Sequence, residues 1–371
     1  MNGLIKALHN HKNNIFSWKT KRKIVVIESD DWGSIRMSGK TEFQNLLKAG
    51  VAVDKSHYNI FDGLERNADL EGLYEVLRRH KDKTGRHPVI TGANIVANPH
   101  FDKIKEADYK EYFVEPVTDT YQRYGENHNR VAQLYKEGIK ERLFVPAFHG
   151  REHLSVSRWL TALQNGNKQV IQGFENQVTG MPCGFDLQAA FAVDRTSDIP
   201  KHQEIIREGL NLFSDIFGFR TKYFIPPNGP FNASSYAFLK EQGISFLNSR
   251  KRMILPDEHG NLVKDFRYCG MKNKFGQYYF VRNCFFEPSS SDSINHIDDC
   301  LSQIKTAFLW RNPAIISTHR VNYIGWLVQE NRDKGLSQLN ELLTKIIKSW
   351  PDVEFLTTEE LGELIRSGTD R

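Results

Sequence analysis

One segment near the N-terminus indicates both the architecture and a candidate site: Ile24-Val25-Val26-Ile27-Glu28-Ser29-Asp30-Asp31-Trp32-Gly33. Its first four residues form a continuous apolar run, which is typical of a strand covered on both faces, as in a parallel sheet. The polar residues behind this run, including the adjacent carboxylates Asp30 and Asp31, then lie where the strand ends. In parallel α/β proteins the reactive groups gather at the carboxyl ends of the strands. The stretch therefore predicts a buried parallel strand and the start of a functional site.

Apolar runs of this kind recur along the chain and alternate with helical patterns, which is the signature of strand–helix units. The further runs are 88–96, 143–148, 222–225, 244–247, 278–281, 314–317 and 353–356. The helical patterns include 70–80, 131–141, 201–217, 234–242, 297–309 and 336–350. Seven or eight such units predict a distorted (β/α) barrel, with an open doubly wound sheet as the alternative. Because no repeat or Pro/Gly/Ser-rich linker interrupts the pattern, a single domain over residues 1–371 is expected, with its core at about 23–365.

The composition excludes several classes of protein. With 39% hydrophobic and 26% charged residues, the 371-residue chain is neither disordered nor a membrane protein. The chain has 50 Lys and Arg against 45 Asp and Glu, and a formal charge of +5 gives no indication of nucleic-acid or membrane-surface binding. The most basic stretch, residues 19–23, leads straight into the first apolar run and is interpreted as its solvated start.

The cysteines and the N-terminus predict a cytoplasmic protein. The four cysteines lie far apart and include no CxxC pair, so they are expected to be reduced. Residues 1–13 contain no apolar core of a signal peptide. The sequence gives no indication of the oligomeric state.

Polar residues also follow three of the other apolar runs. They are His149-Gly150-Arg151-Glu152-His153 behind 143–148, Pro226-Pro227-Asn228-Gly229 behind 222–225, and Thr318-His319-Arg320 behind 314–317.

Asp30 and Asp31 are adjacent carboxylates, which raise each other's cost of ionisation unless a cation lies nearby. Because successive strand residues point to opposite faces, one Asp can bind a cation while the other accepts a proton. The alternative is that one Asp caps the next helix and the other faces solvent.

His149 and His153 have the spacing that places two rings on one face of a helical turn, as two ligands of one metal require. Two histidines and a carboxylate leave coordination positions open, as in a catalytic zinc site. The alternative is a pair of unrelated histidines on a helix surface. His319 also follows a strand and has a pKa suited to donating a proton, although a capping or core histidine remains the simpler interpretation.

These motifs, in this order, resemble those of the polysaccharide deacetylases of the NodB-like, or carbohydrate esterase 4, type within the glycoside hydrolase/deacetylase superfamily. Ser29 to Gly33 is similar to the family's Thr-Phe-Asp-Asp-Gly motif, and His149 to His153 to its His-(Ser/Thr)-x-x-His motif. Pro226 to Gly229 is similar to the motif Arg-x-Pro-x-Gly, which lines one wall of the groove, and Ser317 to His319 to the final Leu-His.

The resemblance implies a distorted (β/α)7-type barrel and a divalent metal held by Asp31, His149 and His153. Zinc is the usual metal, with cobalt, nickel or manganese as alternatives. Asp30 would take a proton from the attacking water, and His319 would protonate the departing group. The implied function is hydrolysis of N- or O-acetyl groups on a carbohydrate, and the near-balanced charge suits a neutral, sugar-like substrate. A member without a secretion signal is expected to act on a glycan precursor or a smaller acetylated sugar.

Three departures from the family pattern stand out. Ile225 occupies the position of the arginine that supports the base, with Arg220 as the nearest alternative. Trp32 separates the two carboxylates from Gly33, and the family's acid that tunes the catalytic histidine has no clear counterpart. Glu287 and Asn283 are candidates for that role or for binding sugar hydroxyls.

The residues predicted to contact the substrate are Trp32, Asn94, Pro227, Asn228, Asn283 and Glu287. Each has an ordinary alternative as a core or turn residue. Two other functions remain open. One is a metal-independent glycoside hydrolase that uses Glu28 or Asp30 with Glu287. The other is a non-catalytic carbohydrate-binding pseudoenzyme, for which Ile225 is the best support.

Overall fold

A computed structural model describes residues 10–12, 14–229, 231–256 and 262–368. One parallel sheet contains β1 (Lys23–Trp32), β2 (Ile90–Ile95), β5 (Phe144–Gly150), β6 (Tyr223–Phe224), β7 (Phe246–Asn248), β10 (Tyr278–Phe280), β11 (Cys284–Phe285), β12 (Ala314–His319) and β13 (Val353–Phe355). Two antiparallel pairs lie outside this sheet: β3 (Ala97–Pro99) with β4 (Val114–Pro116), and β8 (Arg252–Pro256) with β9 (Leu262–Phe266).

Helices occupy most of the connections between the strands of the sheet. They are α1 (Lys40–Lys48), α2 (His57–Phe61), α3 (Asn67–Arg78), α4 (Phe101–Glu106), α5 (Val117–Arg123), α6 (Val131–Lys140), α7 (Val156–Gln164), α8 (Lys168–Glu175), α9 (Asp198–Phe217), α10 (Tyr236–Glu241), α11 (His296–Leu309), α12 (Gln329–Ser349) and α13 (Thr358–Ser367).

The strand order shows how the sheet curls. The hydrogen-bonded order is β10-β7-β6-β5-β2-β1-β12-β11, with β13 beside β1. Neighbours in the sheet follow the order of the chain around a ring, whereas an open doubly wound sheet reverses direction at its middle. The two ends of the path, β10 and β11, are adjacent in the chain but pair with different strands. The prediction of a distorted (β/α) barrel is therefore confirmed, with an opening between β10 and β11.

Alternation along the strands separates two apolar layers. Val25 and Ile27 belong to the large cluster beneath the helices, whereas Ile24 and Val26 belong to a smaller cluster inside the barrel. The register places inward residues of neighbouring strands at the same level, such as Val26 beside Ile315. Since side chains alternate, the same parity continues into the polar strand ends. The inward positions at the carboxyl ends are Glu28, Asp30, His149, Ile225, Asn248, Arg282, Ser317 and His319.

The predicted bounds differ from the structure in two instructive places. Helix α12 begins at Gln329, seven residues before the predicted start at 336. The prediction missed these residues because the first two turns of the helix are polar and show no apolar period. The antiparallel pairs β3–β4 and β8–β9 and the short strand β11 were not predicted. Among the described residues, none of the helices combines the length and the hydrophobicity of a membrane-spanning segment. The single-domain organisation and the cytoplasmic location stay predictions.

Candidate active site

A pocket of about 750 Å³ opens at the carboxyl ends of the strands. The side chains predicted to perform the chemistry line it together: Asp30, Asp31, His149, His153 and His319. Four of them lie in three strands that are separated by long stretches of chain, and His153 lies in the loop after one of these strands. The parallel sheet brings the ends of these strands to one edge. The pocket is therefore the place where the predicted groups can act on one molecule.

The end of β1 presents both adjacent carboxylates to this pocket. The expectation that Asp30 and Asp31 point to opposite faces is wrong, because the pairing of β1 with β2 shifts register between Ser29 and Trp32. Asp31 has a φ of 78°, in the left-handed region that non-glycine residues rarely occupy. Strain of this kind is concentrated at functional sites. This irregular backbone turns Asp31 towards the pocket that Asp30 already faces.

The two histidines reach one another through a loop rather than a helix. His149 lies in β5, and His153 lies in the loop before α7 begins at Val156, so the prediction of a helical turn is wrong. Gly150 adopts a φ of 130°, which redirects the chain as the strand ends. The carbonyl of Arg151 accepts hydrogen bonds from two backbone N–H groups, at 3.1 and 2.8 Å, and fixes the loop. The two rings end with their centroids 5.0 Å apart.

Asp31, His149 and His153 converge on one point. A ligand atom from each lies within 4.8 Å of the other two, and all three residues are buried. Asp31 Oδ1 is 3.1 Å from His153 Nε2 and 3.5 Å from His149 Nε2. Burial alone would raise the pKa of Asp31, but the His153 ring and Arg36 hold it well below its ordinary value. The carboxylate is therefore ionised, as a metal ligand must be.

The histidine nitrogens fit a divalent metal. His149 Nδ1 donates a hydrogen bond to the Ile225 carbonyl at 2.7 Å, which leaves Nε2 as the lone-pair nitrogen. His149 Nε2 is buried and has no hydrogen-bond partner among the described residues. Burial also lowers the pKa of His153, which favours the neutral ring that can bind a metal. One carboxylate and two neutral imidazoles are a donor set that suits zinc and several other first-row ions.

Asp30 is held by an arginine that the sequence reasoning missed. Arg282 Nη1 and Nη2 each donate to a carboxylate oxygen of Asp30 at 2.6 Å, and Nε donates to Glu28 at 2.5 Å. Burial raises the pKa of Asp30, but Arg282 outweighs this and holds the pKa below its ordinary value. The predicted substitute, Arg220, is exposed at the start of β6, at the opposite end of the sheet. Arg282 follows the apolar run 278–281, so the strand-end rule that identified the other residues also applies to it.

His319 lies beside Asp30, and its ring is oriented by Glu287. The two are register partners of β12 and β1, with His319 Nε2 3.9 Å from Asp30 Oδ2. His319 Nδ1 donates to Glu287 Oε1 at 2.6 Å, and Asn322 donates to the other oxygen of Glu287 at 2.7 Å. Burial lowers the pKa of His319, but the Glu287 carboxylate outweighs it and raises the pKa to about 9. His319 is therefore protonated at neutral pH.

Three further residues line the pocket, and two of them do not follow a predicted strand. Tyr58, on α2, packs its ring edge-on against His319 at 5.5 Å, and Arg36 stacks over Tyr58 at 4.7 Å while it pairs with Asp31. Both residues lie in connections between strands and have no periodic signal. Phe285, in β11, lines the pocket with 49% of its surface exposed, which makes it an accessible aromatic face.

Four of the residues predicted to contact the substrate are buried and do not line the pocket. Trp32 is fully buried, donates to Ser29 and packs against Phe144, so it belongs to the core. Asn94 is 1% exposed within β2. Pro227 is buried behind the pocket wall, which Pro226 lines instead. Asn283 is also buried, and its amide bonds to the backbone of Pro313 and Ile315.

The remaining two predicted contacts have different positions. Asn228 lines the pocket and is exposed, with its amide held by Asp186 at 3.0 Å. Glu287 lies behind His319 rather than on the pocket wall. This position fits the other role predicted for Glu287, that of the acid that tunes the histidine.

Comparisons with known proteins give structural likenesses only. No protein-family model and no curated protein matches the chain. A Mycobacterium smegmatis protein assigned as a polysaccharide deacetylase is 12% identical, with 96% of this chain and 94% of that chain covered and a TM-score of 0.44. A Pseudomonas aeruginosa protein with the same assignment is 11% identical, with coverages of 95% and 93% and a TM-score of 0.47. The 4-alpha-glucanotransferase of Thermococcus litoralis is 9% identical, with 91% of this chain but 39% of that chain covered and a TM-score of 0.46. The solved structures to which this chain is similar thus include two proteins assigned as polysaccharide deacetylases and one glucanotransferase.

Proposed function

We propose that this protein is a metal-dependent deacetylase that hydrolyses N- or O-acetyl groups on a carbohydrate. The observation that carries the proposal is the meeting of two sets of groups in one pocket. Asp31, His149 and His153 form a buried metal-binding set. Asp30 and His319 lie beside it, 3.9 Å apart, one ionised by Arg282 and the other charged by Glu287. An acid and a base kept in opposite protonation states beside a metal suit acyl hydrolysis.

Asp31, His149 and His153 would hold the metal, with zinc as the first choice and cobalt, nickel or manganese as alternatives. When bound, such an ion supplies Lewis acidity, which polarises an acyl oxygen and favours ionisation of water. The Ile225 carbonyl keeps His149 in the tautomer that this task requires. Ile225 thereby contributes through its backbone, whereas the family arginine at this position would contribute through its side chain.

The proton transfers fall to two residues on neighbouring strands. Asp30 accepts a proton from the attacking water, and Arg282 keeps its carboxylate ionised and oriented. His319 donates its proton to the nitrogen or oxygen that leaves as the acyl bond breaks, and Glu287 fixes the ring for that transfer. The exposed face of Phe285 is placed to stack on a sugar ring.

Metal analysis tests the proposal. Purified protein loaded with zinc or cobalt is expected to retain about one equivalent, by analogy with other three-ligand catalytic sites. Asp31→Ala and His153→Ala should lose the metal and the release of acetate, whereas His100→Ala, outside the pocket, should retain both. If wild-type protein binds no metal under any loading condition, the proposal fails.

The geometry favours neither alternative function. A glycoside hydrolase needs two carboxylates that flank a sugar bond. Glu28 is fully buried among Tyr223, Thr358 and Arg282. Glu287 is bonded to His319, and neither glutamate lines the pocket with Asp30. The pseudoenzyme interpretation rested on Ile225, and Arg282 supplies the guanidinium that Ile225 lacks.

The proton donation by His319 depends on Glu287. Because His319 must be protonated to act, activity is lost as the pH rises through its pKa, which Glu287 raises to about 9. In Glu287→Gln that support is removed, so the alkaline limb of kcat/KM should move down by about one pH unit or more. Glu287→Asp is the matched control because it keeps a carboxylate, and its alkaline limb should lie close to that of the wild type. An unchanged alkaline limb in Glu287→Gln would show that His319 is not the acid.

A further inference from the structure

The loop after β7 places three consecutive cations on the pocket wall. Arg250, Lys251 and Arg252 connect the end of β7 at Asn248 to the start of β8, and all three line the pocket. Lys12 lines the same side and accepts a hydrogen bond from Lys251 through its carbonyl. We call Lys12, Arg250, Lys251 and Arg252 the basic rim. It lies at the carboxyl end of a parallel strand, as the reactive groups do.

The pocket is far more basic than the chain as a whole. Six of the 21 described lining residues are Lys or Arg, against 50 in 371 for the whole sequence. The only acids among those lining residues are Asp30 and Asp31. The small net charge of the chain therefore hides a strongly positive pocket. A concave surface lined by one sign of charge attracts ligands of the opposite sign.

Two of the six cations form ion pairs with carboxylates of the site, whereas two arginines of the basic rim form none among the described residues. Arg282 is paired with Asp30 and Glu28, and Arg36 with Asp31 and Asp62. By contrast, Arg250 donates to the Asn228 carbonyl at 2.7 Å, and Arg252 stacks over the Phe266 ring at 5.7 Å. Neither arginine forms an ion pair with a carboxylate in the described part of the chain. Their charges are available to a ligand.

The chemistry of these side chains points to phosphate. A guanidinium matches the oxygens of phosphate or carboxylate with two parallel hydrogen bonds. A carboxylate carries one charge, which one arginine satisfies. Several cations on one wall match a group with two or more negative charges, such as a phosphate or diphosphate ester. Solvated surface arginines would be an adequate explanation on a convex surface, but these lie on the wall of the pocket that holds Asp30 and His319.

We infer that the substrate is an acetylated sugar that carries a phosphate or diphosphate, which the basic rim binds while the acetyl group reaches the catalytic residues. This inference rests on the proposed function and names the substrate class for the same site. It also revises the sequence-based expectation of a neutral substrate.

Steady-state kinetics with two probes tests the inference. N-acetylglucosamine 1-phosphate should have a kcat/KM at least about tenfold above that of N-acetylglucosamine, since a charge-assisted contact contributes about tenfold or more. In Arg250→Ala/Arg252→Ala this preference should fall at least about tenfold, with the neutral probe changed less than about twofold. Arg220→Ala, which removes an exposed arginine at the other end of the sheet, should behave as wild type. A kcat/KM for UDP-N-acetylglucosamine above that for N-acetylglucosamine 1-phosphate would indicate a diphosphate, and one below it a monophosphate.

The outcomes separate the inference from the proposed function. Equal kcat/KM for both probes, unchanged in the double variant, overturns the inference and leaves the deacetylase intact. An equal gain with N-acetylmuramic acid, which carries a single carboxylate, overturns the assignment to phosphate. If no probe releases acetate, N-deacetylation of these sugars is excluded, and calorimetry on the metal-loaded protein then tests the inference on its own. Tenfold weaker binding of N-acetylglucosamine 1-phosphate to the double variant would still support the basic rim, whereas equal binding would overturn it.

Discussion

Asp30→Asn is expected to abolish acetate release while the protein keeps its metal. The substitution preserves the shape of the side chain but replaces the carboxylate with an amide, which is too weak a base to take the proton. General-base catalysis contributes about 10²- to 10⁴-fold. Arg282 remains paired with Glu28, so the fold around the strand end should persist. The measurement is kcat for acetate release, with metal content determined on the same preparation.

A matched control for this substitution is Asp54→Asn, which changes an exposed acid outside the pocket and should leave kcat unchanged. Loss of both metal and activity in Asp30→Asn would show that Asp30 serves the metal rather than the proton. Activity within about tenfold of wild type would exclude Asp30 as the base, because that contribution is below the range for general-base catalysis.

Arg282→Met is expected to reduce both stability and turnover. Arg282 is largely buried, and its removal leaves Asp30 and the fully buried Glu28 without their countercharge. Breaking a buried ion pair by removing one partner costs about 3–5 kcal/mol. Denaturant unfolding should show a loss of this size, and kcat should fall because the carboxylate of Asp30 is no longer held by two hydrogen bonds.

A double variant separates the two effects of Arg282. Glu28→Gln/Arg282→Met removes the buried charge that destabilises the single variant, so part of the free energy of unfolding should return. The activity should not return, since Glu28 lies outside the pocket and Asp30 still lacks its partner. Recovery of kcat together with stability would mean that Arg282 serves the fold alone. Arg220→Ala is the control for loss of an arginine as such.

The fold was predictable because continuous apolar runs report strands buried on both faces. The runs identified the main parallel strands, and their number favoured the barrel. Elements without such a signal were missed or shortened. The first two turns of α12 are polar, and the apolar stretches of β8 and β9 are only three and two residues long.

The site was predictable as far as strand ends determine it. Asp30 and His319 are register partners on β1 and β12, so the parallel sheet makes them neighbours despite their separation in the chain. The same rule applied to 244–247 and 278–281 would have identified residues 250–252 of the basic rim and Arg282. The strand-end rule does not predict the backbone conformation. Neither the left-handed φ of Asp31 nor the loop position of His153 follows from residue spacing. Tyr58 lies on a short helix in a connection, where no pattern marks it.

The opening of the barrel has a consequence for catalysis. Residues 281–283 cross from β10 at one end of the sheet to β11 at the other, and Arg282 lies at the middle of this bridge. Asn283 fastens the bridge to β12 by bonding the backbone N–H of Ile315 at 2.8 Å and the carbonyl of Pro313 at 3.0 Å. The countercharge of Asp30 is thus carried by the span that joins the two edges. The same three residues therefore close the gap between the two edges and hold the carboxylate of the proposed general base.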